Sequence, residues 1–130
     1  MKNLVFLFAA LLSATSLFGQ PQITLGEPNL TVDKEVHDFG VIEQNADGTC
    51  IFTITNMGSE PLIISKCDKT CGCTVPQCNH DPILSKGTSE VRVSYDTGRI
   101  GPFNKSVKVH TNDPDEPLKI LRVSGEVIIP

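Results

Sequence analysis

Apolar and polar residues alternate along most of the chain in short runs, and turn-forming residues separate these runs. In the segment 49–56, Cys50, Phe52 and Ile54 fall on one side of an extended chain, and threonines occupy most of the other side. This period of two is typical of a β-strand with one buried face. Since Cys50 shares the apolar side, we predict that its thiol points into the core.

Similar alternation marks several further strands, and no stretch shows the period of a helix. The predicted strands lie at 36–40, 62–64, 91–95, 107–109 and 121–127. Gly, Pro, Asn and Asp cluster between them, as turns require. At least six short strands with one apolar side predict an all-β fold in which two antiparallel sheets pack face to face.

The N-terminus departs from this alternation. Met1–Lys2 forms a short basic region before the apolar run Leu4–Leu12, which is much shorter than the ~20 residues of a membrane-spanning helix. Small residues follow, as they do before a signal-peptide cleavage site. We therefore predict a signal peptide over residues 1–19, a short lead-in over 20–31 and one β-sandwich domain over 32–130.

Export would constrain both the chemistry and the partners of the chain. The first cysteine is Cys50, so none is placed for lipid attachment, and we expect a soluble periplasmic or secreted protein. The sequence has 11 Lys and Arg against 15 Asp and Glu, a net charge of −4, which disfavours nucleic acid and anionic membrane surfaces as partners. Thiols outside the cytoplasm are expected to be oxidised unless they bind a metal or are kept reduced by a reductant.

Four of the five cysteines cluster between the strand that ends near residue 66 and the next one. They are Cys67, Cys71, Cys73 and Cys78. The first interpretation is two disulfides, for which three pairings exist. Because a bond between Cys71 and Cys73 would close a very small ring, we expect each to pair with one of the outer two cysteines instead. Loops this short contribute only ~2 kcal/mol each to stability.

Two other interpretations of the cluster stay open. Four thiolates, with His80 as an additional ligand, would suit zinc or cuprous copper, although the spacing is not that of a zinc ribbon. Alternatively, Cys71 and Cys73 would form a strained, oxidising pair for thiol exchange, although no thioredoxin-like pattern surrounds them. We expect Cys50 to be a buried free thiol and not a further ligand.

Two motifs that suggest a catalytic site and a calcium site are better explained as turns. Asp96-Thr97-Gly98 spells the triplet of aspartic proteases, in which two carboxylates share a proton, but its usual partner motif is missing. The acidic segment 112–117 lacks the alternating spacing of a calcium loop. No combination of Ser, His and Asp suggests a catalytic site, so we expect a protein without enzymatic activity.

A set of short segments spread over the predicted domain forms a recognisable pattern. They are His37–Gly40, Phe52–Gly58, Pro61–Ile64, Cys71–Thr74, Pro82–Ile83, Tyr95–Thr97, Gly101–Phe103, Thr111–Asn112 and Gly125. These segments resemble a secreted bacterial family known as domain of unknown function 1573. The resemblance implies an immunoglobulin-like sandwich of the PapD and major-sperm-protein type, with about seven strands. It implies no activity. The family pattern includes Cys71 and Cys73 but not the other three cysteines, which favours either capping disulfides or a fuller metal site.

Together these observations predict an exported, non-enzymatic binding or structural module. Its partner would be another exported protein, contacted through exposed sheet edges, as PapD-like domains do by strand addition, or through the cysteine-rich loop. A zinc-binding or copper-binding protein is the alternative from another class. A thiol oxidoreductase that acts through Cys71 and Cys73 is the third hypothesis. The sequence assigns no residue to an interface.

Overall fold

The computed structural model describes residues 26–130, so the predicted signal peptide and the first half of the predicted lead-in lie outside the described residues. The strands are β1 (Leu30–Val32), β2 (Val36–Glu43), β3 (Thr49–Asn56), β4 (Ile64–Lys69), β5 (Thr74–Gln77), β6 (Thr88–Tyr95), β7 (Gly101–Thr111) and β8 (Leu118–Ile128). They form a first sheet in the order β1-β3-β6-β5 and a second sheet in the order β2-β8-β7-β4. The predicted all-β, immunoglobulin-like sandwich is confirmed.

The core lies between the two sheets and uses the alternating positions that the sequence indicates. Its fully buried side chains include Phe52, Ile54, Leu62, Ile64, Val91, Val93, Val107, Val109, Leu121, Val123 and Val127. At one end, the rings of Tyr95 and Phe103 stack with their centroids 3.7 Å apart. Burial of these apolar faces is the main force that holds the sheets together.

Strand β2 is the exception to antiparallel pairing, because it runs parallel to β8. The register of this pair shifts between Asp38 and Val41. Gly40 adopts a φ of +66° there, and its N–H donates to Oδ1 of Asp38 at 2.8 Å. Only glycine takes this conformation at little cost. The bulge interrupts the free edge of β2 and so protects it from pairing with another chain.

Two short strands lie where the sequence showed none. Strand β1 begins at Leu30, ahead of the expected boundary at residue 32, and pairs with β3. Strand β5 lies inside the segment that was expected to be a loop, and β4 extends through Cys67 to Lys69. Both new strands are too short to show an alternating pattern. Pro76 makes β5 harder still to recognise, because proline is uncommon within strands. Proline is tolerated there because β5 is at the edge of its sheet.

No helix long and apolar enough to cross a membrane occurs between residues 26 and 130.

Candidate functional site

The clustered cysteines lie where the chain crosses from one sheet to the other. Strand β4 is the last strand of the second sheet, and β5 is the last strand of the first. Residues 70–73 connect them in a short turn. We call the segment from Cys67 to Cys78 the cysteine-bridged edge, because it joins the free edges of both sheets on one side of the sandwich.

Two disulfides hold this edge. Cys67 on β4 is bonded to Cys78, which directly follows β5, with a Cα–Cα distance of 6.4 Å. Cys71 is bonded to Cys73 within the turn, with a Cα–Cα distance of 5.3 Å. The first bond therefore links the edges of the two sheets, and the second closes the turn between them.

This pairing differs from the one we expected, in which Cys71 and Cys73 bonded to the outer cysteines. That expectation rests on ring size alone and does not include strand β5, which the sequence pattern does not show. In the structure, β4 and β5 are both extended and are connected by the turn. That arrangement brings Cys67 opposite Cys78 and leaves Cys71 and Cys73 to each other.

The Cys71–Cys73 disulfide has one buried half and one accessible half. Cys73 is 2% exposed, whereas Cys71 is only partly buried. The backbone N–H of Cys73 donates to Sγ of Cys71 at 3.2 Å. The hydroxyl of Thr74, which is fully buried, lies 3.9 Å from Sγ of Cys71 and 3.7 Å from Sγ of Cys73. The N–H of Cys73 thus points at Sγ of Cys71, and the single hydroxyl of Thr74 lies close to both sulfurs.

A surface groove of about 640 Å³ runs beside the inter-sheet disulfide. Its lining comprises Cys67, Asp68, Lys69, Thr70, Val75, Pro76 and Lys108. Among the described residues, neither Lys69 nor Lys108 forms an ion pair. The groove therefore presents two free ammonium groups beside apolar and disulfide surface.

The one carboxylate of the groove is already paired. Asp68 accepts hydrogen bonds from Nε2 of His110 at 3.0 Å and forms an ion pair with Nζ of Lys66 at 3.3 Å. Partial desolvation opposes ionisation of Asp68, but the hydrogen bonds from His110 and Lys66 outweigh it, and the pKa of Asp68 falls below its ordinary value of 3.8. Asp68 is thus ionised near neutral pH and leaves the local charge of the groove positive.

The other candidate ligand, His80, is hydrogen-bonded to the backbone of β4. Nδ1 of His80 lies 2.8 Å from the carbonyl oxygen of Ile64 and donates to it. Within residues 26–130, no group of three or more His, Cys, Asp or Glu side chains is arranged to hold a metal ion. His80 instead attaches the segment after β5 to the start of β4.

Cys50 lies apart from the cysteine-bridged edge. It sits on β3, which β6 separates from β5. Its thiol is unpaired and buried, and burial raises its pKa to about 11 despite the nearby charge of Lys34. A thiol of this kind stays protonated at neutral pH and reacts slowly, so Cys50 contributes packing to the core.

The family described as "Protein of unknown function (DUF1573)" matches this sequence over residues 30–127. The chain belongs to this family. The match covers every strand except the last residue of β8, and it confirms the resemblance found in the sequence. No curated protein matches the sequence at a significant level.

Several solved structures share the fold of this DUF1573 domain. A protein of unknown function from Porphyromonas gingivalis W83 has a TM-score of 0.68 at 18% identity, over 76% of this chain and 46% of that one. The PapD-like domain 7 of human CEP192 has a TM-score of 0.66 at 12% identity, over 80% and 88%. The periplasmic chaperone SfaE has a TM-score of 0.51 at 11% identity, over 78% and 57%. The likeness at these identities concerns the fold alone, and the chain spans less than half of the Porphyromonas protein.

A second polar site of the DUF1573 domain was missed in the sequence. Asn56 is fully buried at the end of β3. Its Oδ1 accepts the N–H groups of Asn29 at 3.1 Å and Gly58 at 2.9 Å. Its Nδ2 donates to the carbonyl oxygens of Glu60 at 2.7 Å and Ile83 at 2.9 Å. One side chain thus uses its full hydrogen-bonding capacity, and we call these five residues the Asn56 corner.

The family segment around Asn56 therefore has a structural explanation. A Cβ atom on Gly58 would collide with the backbone carbonyl of Glu27, so the corner requires glycine at this position. The only available sequence signal was an Asn two residues before a Gly in a turn, which many ordinary turns also show.

The two motifs interpreted as turns also have structural roles. Oδ1 of Asp96 accepts the N–H of Gly98 at 3.0 Å, as a turn residue does. In the acidic segment, Asp113 is 1% exposed and accepts the N–H groups of Leu30 at 2.8 Å and Asp115 at 2.9 Å. Asp113 thereby attaches β1 to the turn between β7 and β8.

The two disulfides of the domain indicate an oxidising environment outside the cytoplasm.

Proposed function

We propose that this DUF1573 domain is an exported, non-enzymatic module that binds an extended segment of another exported protein at the cysteine-bridged edge. The observation that carries the proposal is the Cys67–Cys78 disulfide, which joins the free edges of both sheets beside a groove whose two lysines form no ion pair with any residue in 26–130. Export through the signal peptide predicted over residues 1–19 is part of the proposal, and the disulfides support it.

Among the four edge strands, β4 offers the best template for an added strand. Strand β1 has only three residues, and the bulge at Gly40 interrupts β2. Pro76 removes one N–H donor from β5. Strand β4 pairs with β7 in regular register from Lys66 to Lys69 and has no partner on its other side. Unpaired backbone groups of such an edge hydrogen-bond an incoming extended chain.

The charge of the groove specifies the side chains of the segment. The whole chain carries a net charge of −4, but Asp68 is paired, and Lys69 and Lys108 remain free within the groove. Acidic side chains of the partner would satisfy these two lysines. The inter-sheet disulfide fixes the groove in advance, which lowers the entropic cost of binding.

Synthetic peptides test this proposal with the full exported protein. One peptide alternates threonine and valine and carries two glutamates, and a second carries two lysines at the same positions. We expect the acidic peptide to bind more tightly in fluorescence anisotropy, and the variant Lys69→Glu/Lys108→Glu to weaken that binding by about tenfold. Equal binding of both peptides, or no effect of the double variant, would contradict the proposal.

A matched control uses a lysine at the far end of the first sheet. Lys86 is exposed and precedes β6, whereas β5 pairs with the opposite end of that strand. The variant Lys86→Glu changes the net charge in the same direction as each groove substitution. We expect it to leave the binding of the acidic peptide unchanged, and a loss as large as that in the groove variant would show a long-range charge effect in place of a site.

A further inference from the structure

We propose that the Cys71–Cys73 disulfide is a thiol–disulfide exchange site that oxidises a dithiol of another exported protein, with Sγ of Cys71 as the sulfur that is attacked. This function goes beyond binding in the groove and does not depend on it. It rests on the geometry of the turn between β4 and β5, where the two sulfurs have different access and different hydrogen-bond partners.

Access selects one of the two sulfurs. Cys73 is 2% exposed and packs with the core, whereas Cys71 is partly exposed. Gly72 leaves the turn open, because a Cβ atom built on it would have no atom within 4 Å. An attacking thiolate must approach a sulfur directly, so it reaches Cys71 and not Cys73.

The polar neighbours favour exchange in the oxidising direction. When the bond opens, the N–H of Cys73 at 3.2 Å and the hydroxyl of Thr74 at 3.9 Å are placed to stabilise a thiolate on Cys71. The same hydroxyl lies 3.7 Å from Sγ of Cys73. Hydrogen bonds to a thiolate make it a better leaving group and stabilise the reduced form, and a disulfide with a stabilised reduced form is a stronger oxidant.

The reaction balances as a two-electron exchange with a client dithiol. A client thiolate attacks Sγ of Cys71, the bond to Cys73 breaks, and Cys73 leaves as a thiolate that takes up a proton. The second client thiolate then attacks the client sulfur of the mixed disulfide, and Cys71 leaves as a thiolate that takes up a proton. The client gains a disulfide and loses two electrons, which the two cysteines receive.

The inter-sheet disulfide serves as an internal reference. Cys67–Cys78 spans 11 positions and joins two strands, whereas Cys71–Cys73 spans two positions within a turn. A larger ring accommodates a disulfide more easily. In graded thiol–disulfide redox buffers, followed by alkylation and peptide mass mapping, we expect Cys71 and Cys73 to become reduced at potentials where Cys67 and Cys78 stay bonded. Earlier opening of Cys67–Cys78 would overturn the proposal.

Single variants test which sulfur is attacked. With oxidised glutathione as the probe, the variant Cys73→Ser should form a mixed disulfide on Cys71 at least about tenfold faster than Cys71→Ser forms one on Cys73, since the latter thiol is buried. Equal rates would overturn the assignment. Resistance of Cys50 to alkylation in the same samples reports that each variant is folded, because this thiol reacts only when the core opens.

Thr74→Val tests the positioning role of the hydroxyl, since valine keeps the shape and removes the hydrogen bond. We expect it to slow oxidation of a reduced two-cysteine peptide severalfold and to leave the reduction of Cys67–Cys78 unchanged. Thr74 does not line the groove, so Thr74→Val should bind the acidic peptide as tightly as the wild type does. Failure of exchange is thereby distinguished from failure of groove binding. An unchanged rate in Thr74→Val would remove Thr74 from the account.

Discussion

The Asn56 corner and the cysteine-bridged edge lie at the two ends of β4, and both are places where the chain crosses between the sheets. At the corner, one buried amide satisfies four backbone groups. At the edge, one disulfide links β4 to the end of β5 and a second closes the turn between these strands. At the first crossing the linking side chain of Asn56 is itself buried, so hydrogen bonds are enough to fix it. The second crossing lies at the surface beside a groove, and there disulfides hold the chain in place.

The segments that the chain shares with its family are therefore of two kinds, those needed for the fold and those better explained by chemistry. Asn56 and Gly58 are needed for the fold, because their partners and the close approach of Glu27 allow no alternative side chain. Cys71 and Cys73 are only two positions apart, so their bond removes little chain entropy from the unfolded state. A pair that stabilises so little is better explained by chemistry at the surface, which is the role that we propose for it.

The largest expected effect is at the corner. Asn56→Ala leaves two N–H groups and two carbonyl oxygens without their partner, so we expect a loss of about 4 kcal/mol in the free energy of unfolding. Urea denaturation of the purified variant measures it. Asn112→Ala is the matched control, because Asn112 is exposed and its bonds to Ile63 and Pro61 lie near solvent; we expect about 1 kcal/mol there. Similar losses of unfolding free energy in both variants would show that burial of the linking amide makes no difference.

The next effect concerns the inter-sheet disulfide. Cys67→Ala/Cys78→Ala removes a cross-link with a sequence separation of 11, for which the chain-entropy model gives about 3 kcal/mol. The same denaturation experiment measures the loss, and binding of the acidic peptide should weaken in parallel, since the groove is no longer fixed. If the variant unfolded at the wild-type urea concentration, the bond would not be holding the sheets together.

A smaller effect is expected for the disulfide of the turn. Cys71→Ser/Cys73→Ser removes a cross-link with a sequence separation of only 2, which corresponds to about 1 kcal/mol. The ratio of this loss to that of the inter-sheet pair tests whether the two bonds have different roles. A loss equal to or greater than that of the Cys67 and Cys78 variant would show that the turn is also a structural cross-link.

The smallest effect is a pH dependence at the groove. Because the pKa of Asp68 is lowered in the folded state, ionised Asp68 stabilises the fold above about pH 4, and this contribution is lost as the pH falls through the lowered value. Asp68→Asn should therefore be less stable than wild type near about pH 5, and this difference should disappear as the pH falls through the lowered pKa. Asp81→Asn, an exposed residue with no ion pair among residues 26–130, is the control. A difference that persists in acid would have another cause.

Alternation of side chains made most of the fold predictable. Strands β3, β6, β7 and β8 show it clearly, because one face of each is buried against the other sheet. Strands β1 and β5 have only three and four residues, so no period can appear in them. Their position depends on pairing with distant segments, which a local pattern does not contain.

The candidate site was predictable in its members and not in its connections. The cluster of cysteines was evident, but the choice among the three pairings depended on β5, which was not recognised as a strand. The role of Asn56 was hidden for a similar reason, since its partners Asn29 and Ile83 each lie 27 positions away in the sequence. In both cases the decisive contacts are nonlocal.

Digestion of the unreduced protein in mild acid tests the central claim most directly, because it reads the cysteine pairing itself. Cleavage after lysine and after Pro76 separates the four cysteines onto three peptides. The first carries Cys67, the second carries Cys71 and Cys73, and the third carries Cys78. Mass spectrometry then shows which peptides remain linked, and elemental analysis of the intact protein measures zinc and copper.

We expect the peptide with Cys67 to be linked to the peptide with Cys78. The middle peptide is released by itself with the mass of an internal Cys71–Cys73 disulfide. A middle peptide linked to either of the others would contradict the separation of a structural bond from an exchangeable one. Four free thiols together with stoichiometric zinc or copper would replace the disulfides with a metal centre.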